Sequence, residues 1–113
     1  MRWFLRSKIH RATVTEAKPD YAGSITVDHS LLGKAGFLNG EKVLVASLSS
    51  GVRLETYVIA GQNDSGEVCT NGAAALLIKR GEKIVIMGFE LADKPVECKN
   101  VLVDENNKFV KFL

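Results

Sequence analysis

Apolar and polar residues alternate with a period of two in eight short stretches of this chain, and that period suits strands and little else. The stretches are 12–17, 24–28, 41–48, 53–61, 66–72, 82–91, 99–104 and 108–113. Turn-forming residues punctuate them: Leu38-Asn39-Gly40, Ser50-Gly51, Asn63-Asp64-Ser65-Gly66, Arg80-Gly81, and Glu105-Asn106-Asn107 in an expected hairpin. Helical signal is thin. Residues 28–36 offer Asp28 as N-cap and Gly36 past the C-terminus, and 71–81 could hold another short helix. So many short strands in 113 residues would expose sheet edges, so closure into a small barrel is expected.

Composition sets limits on function. At 46 % hydrophobic and 25 % charged, the chain reads as one globular domain, and a net charge of +2 announces neither a nucleic acid nor a membrane. Arg2, Arg6, Lys8 and Arg11 crowd the N-terminus before the first acid, Glu16, a pattern expected of a solvated strand face. No stretch approaches the ~20 apolar residues of a membrane span. The apolar run Trp3-Phe4-Leu5 is too short for a signal peptide, so a cytoplasmic protein is expected. Cys69 and Cys98 lack metal-ligand spacing and are expected to be buried free thiols, with no metal site.

One dipeptide resists this bland description. Gly23-Ser24 interrupts "DYAGSITVD" (20–28), where glycine should weaken a strand. There is no G-x-S-x-G elbow, and neither His10 nor His29 is marked by spacing as a base for a serine nucleophile. His10, on an alternating strand, reads as a partly buried, hydrogen-bonded side chain. A serine hydroxyl can, however, attack the carbonyl of the residue before it and convert the amide to an ester. Glycine allows the backbone to be held strained for that attack. Elimination across Ser24 would then cut the chain, and loss of its nitrogen as ammonia would leave a pyruvoyl ketone. Such a ketone forms a Schiff base with an amine and withdraws electrons from it.

Four blocks extend the pattern: "SKIHRATVT" (7–15), "YAGSITVD" (21–28), "GVRLETYVI" (51–59) and "NGAAA" (71–75). In this order they resemble the pyruvoyl-dependent aspartate decarboxylases, whose pattern is Lys-x-His-Arg, Tyr-x-Gly-Ser, Gly-x-Arg-x-x-Thr-Tyr and Asn-Gly-Ala-Ala. The match runs from residue 7 to about 89, and no motif follows Phe89. The resemblance implies a mainly β fold, a small closed six-stranded double-psi β-barrel with a few short helices. It implies a homotetramer with active sites between subunits, and conversion of L-aspartate to β-alanine and carbon dioxide for pantothenate and coenzyme A synthesis. It also implies self-cleavage of the single domain 1–113 into 1–23 and 24–113, the latter capped by a pyruvoyl group made from Ser24. Neither a metal nor pyridoxal phosphate is implied, and a maturation factor is an open option.

Roles then follow by resemblance. Ser24 becomes the electrophile, and Tyr57 protonates the carbanion as a phenol donor can. Arg53 binds one substrate carboxylate through its planar fork, and Lys8 suits the other. Thr56 donates to the Gly23 carbonyl during cleavage and also belongs to the substrate-binding set. Asn71 and the backbone of Gly72, Ala73 and Ala74 contact substrate, with Tyr21 and His10 as possible support. In an ideal strand Arg53 and Tyr57 share a face, with Cα atoms about 13 Å apart, while Thr56 points the other way. A local irregularity of the strand is therefore expected at Thr56. Glu55, beside a dianionic substrate, must turn to solvent or pair with a cation.

Two other functions compete. A non-catalytic barrel could bind nucleic acid through the N-terminal cations, although 7 % aromatic residues and the lack of basic Gly-rich motifs disfavour it. A pyruvoyl decarboxylase of another amino acid would keep the cleavage, but Arg53 with Lys8 favours a dicarboxylate.

Overall fold

The computed structural model describes all residues, Met1–Leu113. The chain runs β1 (Arg2–Thr13), β2 (Glu16–Lys18), β3 (Ser24–Asp28), α1 (His29–Ala35), β4 (Lys42–Ser47), β5 (Arg53–Gly61), β6 (Val68–Asn71), α2 (Ala74–Leu77), β7 (Lys83–Ala92), β8 (Lys99–Val103) and β9 (Phe109–Phe112). The expected strands are present from β3 onward, and β8 and β9 form the expected antiparallel hairpin. The protein is mainly β.

Hydrogen-bonded neighbours run β2-β6-β3-β5-β4-β7-β1-β8-β9. The ladder is thus nine strands long with ends at β2 and β9, rather than a six-stranded ring closed by hydrogen bonds. Yet β1 passes into β2 across only Val14 and Thr15. Thr15 N–H donates to Val68 O on β6, and Val14 N–H donates to Glu82 O, just ahead of β7. Taken as one interrupted strand, β1 and β2 join β6, β3, β5, β4 and β7 into six strands that return on themselves through the chain. β8 and β9 lie outside this circuit. β5 links its two halves: Arg53–Tyr57 pairs antiparallel with β4, and Val58–Gly61 pairs parallel with β3.

Alternation explains the core. Ile9, Ile25, Val27, Val43, Val45, Val58, Val68, Ile84, Ile86 and Val101 are the inward members of their strands and are fully or almost fully buried. Removing each such side chain from water contributes about 1.5–3 kcal/mol. α1 closes one side with Leu31, Leu32 and Ala35. Asp28 caps it by accepting from Ser30 N–H at 2.9 Å, and Gly36 ends it in the left-handed region at φ +78°.

Several expectations need correction. The first strand begins at Arg2, ten residues earlier than the expected 12–17, because charged side chains on its outer face mask the alternation of Ser7, Ile9 and Ala12 inside. Gly23 does not interrupt a strand: residues 19–23 form a turn and bend, and β3 starts at Ser24. The helix expected over 71–81 is a single turn, since Asn71 still belongs to β6 and Ile78 is already extended. Cys69 is buried but Cys98 only half-buried, and both are free. No helix is long and apolar enough to cross a membrane.

Candidate active site around Ser24

Ser24 opens β3 and pairs with Asn71 at the end of β6. Ile25 and Val27 face the core, so Ser24 and Thr26 take the opposite face, where Asn71 meets both. Its Nδ2 donates to Ser24 Oγ at 2.9 Å and to Thr26 Oγ1 at 3.0 Å. Cys69 completes the group, its Sγ donating to Asn71 Oδ1 at 3.3 Å. Burial raises the pKa of the Cys69 thiol, which keeps it a protonated donor. The amide of Asn71 is thereby held with its NH2 toward the serine. Ser24, Asn71 and Cys69 are all buried.

The chain beyond Asn71 turns sharply. Gly72 has φ +64°, donates its N–H to Lys18 O at 2.9 Å, and lies against the 21–23 backbone. A Cβ at Gly72 would come within 2.8 Å of Gly23 Cα and 2.9 Å of Tyr21 O. Gly23 itself has no positive φ, and a Cβ there would meet nothing within 4 Å. The steric need for glycine therefore falls on Gly72, against the expectation that Gly23 bears it. Ala73 and Ala74 start a one-turn helix that has no side-chain cap, which leaves its first amides without a side-chain acceptor.

Tyr57 reaches this place from β5. The parallel register begins with Ile25 opposite Val58, and Ser24 and Tyr57 each come one residue before that pair, on the same face of their strands. Arg53, Glu55, Tyr57 and Ile59 are exposed while Leu54, Thr56 and Val58 turn inward. Arg53 and Tyr57 share a face, as expected. The irregularity expected at Thr56 is absent: the β4–β5 register is continuous, with Val43 opposite Thr56 and Lys42 opposite Tyr57. Thr56 accordingly lies on the inner face, away from the side chain of Ser24. Glu55 is resolved too, as its carboxylate pairs with Lys42 Nζ at 2.7 Å.

The remaining expected residues lie elsewhere. Lys8 sits on β1 in the register row Lys8, Met87, Leu44, Glu55 across β1, β7, β4 and β5. Along the ladder β7, β4 and β5 lie between it and the Ser24 strand. His10 shares the outer face of β1; burial, then the charges of Lys8 and Arg11, lower its pKa and favour neutral imidazole. Its Nδ1 has no hydrogen-bond partner. Tyr21 is exposed, with Lys18 Nζ 4.7 Å from its ring centroid. Of the N-terminal cations, Arg6 is half-buried against Glu41 and over the Phe37 ring, not presented to solvent as a phosphate contact. No three His, Cys, Asp or Glu side chains cluster as metal ligands would.

The sequence reading missed Thr26, Cys69 and Lys42. Thr26 and Cys69 alternate with core residues on adjacent strands, a signal readable only once β3 and β6 are known to pair. Lys42 was hidden for the same reason, its position opposite Tyr57 being a matter of β4–β5 register.

Comparison with known proteins places the chain as a whole. A sequence model described as aspartate decarboxylase matches residues 1–110. An aspartate 1-decarboxylase of Caldicellulosiruptor saccharolyticus is 52 % identical over 111 residues, which cover 95 % of this chain and 87 % of that one. One from Clostridium botulinum (strain 657 / Type Ba4) is 50 % identical over 105 residues, covering 93 % and 76 %. One from Neisseria meningitidis serogroup C is 50 % identical over 111 residues, covering 95 % and 87 %. With nearly its whole length matched and identity at half or more, the chain belongs to the aspartate decarboxylase family.

Proposed function

We propose that this protein decarboxylates L-aspartate to β-alanine and carbon dioxide, the β-alanine serving pantothenate synthesis, after cutting itself between Gly23 and Ser24. The observation that carries this is the buried Ser24 hydroxyl, held by Asn71 on the strand paired with that of Tyr57, in a member of the aspartate decarboxylase family.

Cleavage balances with one water. Ser24 Oγ attacks the Gly23 carbonyl carbon, the C–N bond breaks, and the serine nitrogen leaves as an amine, giving an ester. Loss of the Ser24 Cα proton expels Gly23 as a carboxylate. Water then replaces the nitrogen, which departs as ammonia. Asn71 donates to Oγ and so leaves the hydroxyl proton free to depart, while Gly72 packs on the Gly23 backbone and limits its motion. Neither contact requires a substrate, so both are ready before cleavage.

The surroundings of Ser24 fit a pyruvoyl group, which is smaller than serine plus its amide and needs only hydrogen-bond donors and a proton source nearby. When present, that group supplies a carbonyl that condenses with the aspartate amine and accepts the electron pair freed with carbon dioxide. Tyr57 delivers the proton to Cα from the same face. Arg53, farther along that face, takes a carboxylate, and the uncapped amides of Ala73 and Ala74 are further donors to it.

Within one chain no hydrogen bond or ion pair joins Lys8 or His10 to the Ser24 group. A homotetramer with the active site between subunits supplies them from a second copy, which is the role proposed here. Two free cysteines suit a reducing compartment, the cytoplasm.

Intact-mass spectrometry with an aspartate-to-β-alanine assay tests the proposal. Two fragments, 1–23 and an amine-blocked 24–113, are expected together with product. A full-length chain that nonetheless turns over aspartate would overturn it.

A further inference from the structure

Glu55 places a carboxylate between Arg53 and Tyr57 on the exposed face of β5, where a substrate with two carboxylates must approach. Left alone, it would cancel the charge of Arg53. It is not left alone. Lys42, opposite Tyr57 in the β4–β5 register, reaches diagonally and sets Nζ 2.7 Å from Glu55 Oε2. Both side chains are largely exposed, at 76 % and 63 %, so the pair adds little to folding. Its effect falls on the local potential instead. With Lys42 present the outer strip of Arg53, Glu55 and Lys42 carries one net positive charge, and without it none.

We propose that Lys42 is a positioning residue for substrate charge: it neutralises Glu55 so that the Arg53–Tyr57 face accepts a dicarboxylate. This rests on the aspartate decarboxylase function proposed above. Lys42 itself need not touch the ligand, because a charge several ångströms away acts through the field.

The test uses the processed protein and two probes, L-aspartate for turnover and succinate for binding by calorimetry. Lys42→Ala should raise the KM for aspartate and the Kd for succinate about 3- to 10-fold, as one nearby charge does in a partly solvated site. Cleavage at Gly23-Ser24 and kcat should not change. The double variant K42A/E55Q should restore both constants, and Lys42→Arg should keep them. Added salt should narrow the gap between Lys42→Ala and the parent protein.

An unchanged KM and Kd in Lys42→Ala would overturn the proposal. So would failure of Glu55→Gln to rescue it, because Lys42 would then be contacting the ligand directly. Failure of the decarboxylase function is separate and shows first in the unaltered protein, as absent cleavage or absent β-alanine. The succinate measurement tests the charge argument even then.

Discussion

Asn71 Nδ2 donates to Ser24 Oγ at 2.9 Å between two buried side chains on paired antiparallel strands. A hydroxyl that accepts this bond keeps its own proton available. Asn71→Ala should therefore slow self-cleavage about tenfold or more, the worth of one buried hydrogen bond. Ser24→Ala should abolish cleavage and turnover together. Timed intact-mass measurements on freshly made protein read both effects.

Cys69 holds Asn71 from behind, donating to Oδ1 at 3.3 Å. Without a donor there, the amide can turn over and present oxygen to Ser24. Cys69→Ala should slow cleavage, while Cys69→Ser, which keeps a donor, should cleave at close to the parent rate. Equal rates for the two would show that the thiol only fills space.

Gly72 and Gly23 should respond unequally to alanine. At Gly72 a Cβ meets Gly23 Cα at 2.8 Å and the backbone has φ +64°. The left-handed conformation alone costs a non-glycine residue about 1–2 kcal/mol. Thermal unfolding of Gly72→Ala should fall by roughly 5 °C or more. Gly23→Ala has open space and no positive φ, so it should melt within about 2 °C of the parent, the range of a neutral surface change.

Tyr57 comes one residue before the Ile25–Val58 pair, as Ser24 does, and donates nothing to Ser24. Tyr57→Phe should leave cleavage intact and reduce β-alanine formation by about 100-fold or more, as loss of a general acid does. Normal turnover by the processed variant would remove Tyr57 from the proton-transfer role.

Asp28 gives the fold an acid-sensitive joint. Burial would raise its pKa, but N–H donations from Gly66, Ser30 and Asp64 outweigh that and lower it. A carboxyl whose folded pKa lies below its unfolded value contributes stability above the unfolded value, about 3.9, and loses it as pH falls through the folded value. The protein should thus lose stability below about pH 4. Asp28→Asn should be less stable at pH 7 by about 1–3 kcal/mol, since its NH2 would face Gly66 N–H. Its stability should also fall less steeply in acid. Denaturant midpoints between pH 3 and 7 separate the two proteins.

Much of this was readable before any fold was known. Turn residues and alternation mark β3 to β9 to within a residue or two in most cases, because each strand buries one face and the pattern is local. Asp28 and Gly36 frame α1 for an equally local reason. Alternation also puts Arg53 with Tyr57 and against Thr56, and the regular β5 register upholds it. Where alternation was blurred, as on the charged face of β1, the strand was missed.

Contacts between strands were not readable. Nothing in the order of residues says that β3 lies between β5 and β6, and that placement alone sets Ser24 against Asn71 and beside the strand of Tyr57. Nor does it say that Gly72 presses on Gly23, or that Lys42 faces Tyr57. The sequence by itself determined which residues alternate, turn and cap, since those preferences act within a few bonds. Tertiary structure alone decided which hydroxyl meets which amide and which charge is paired, since strand order is set by burying all the apolar faces in one core.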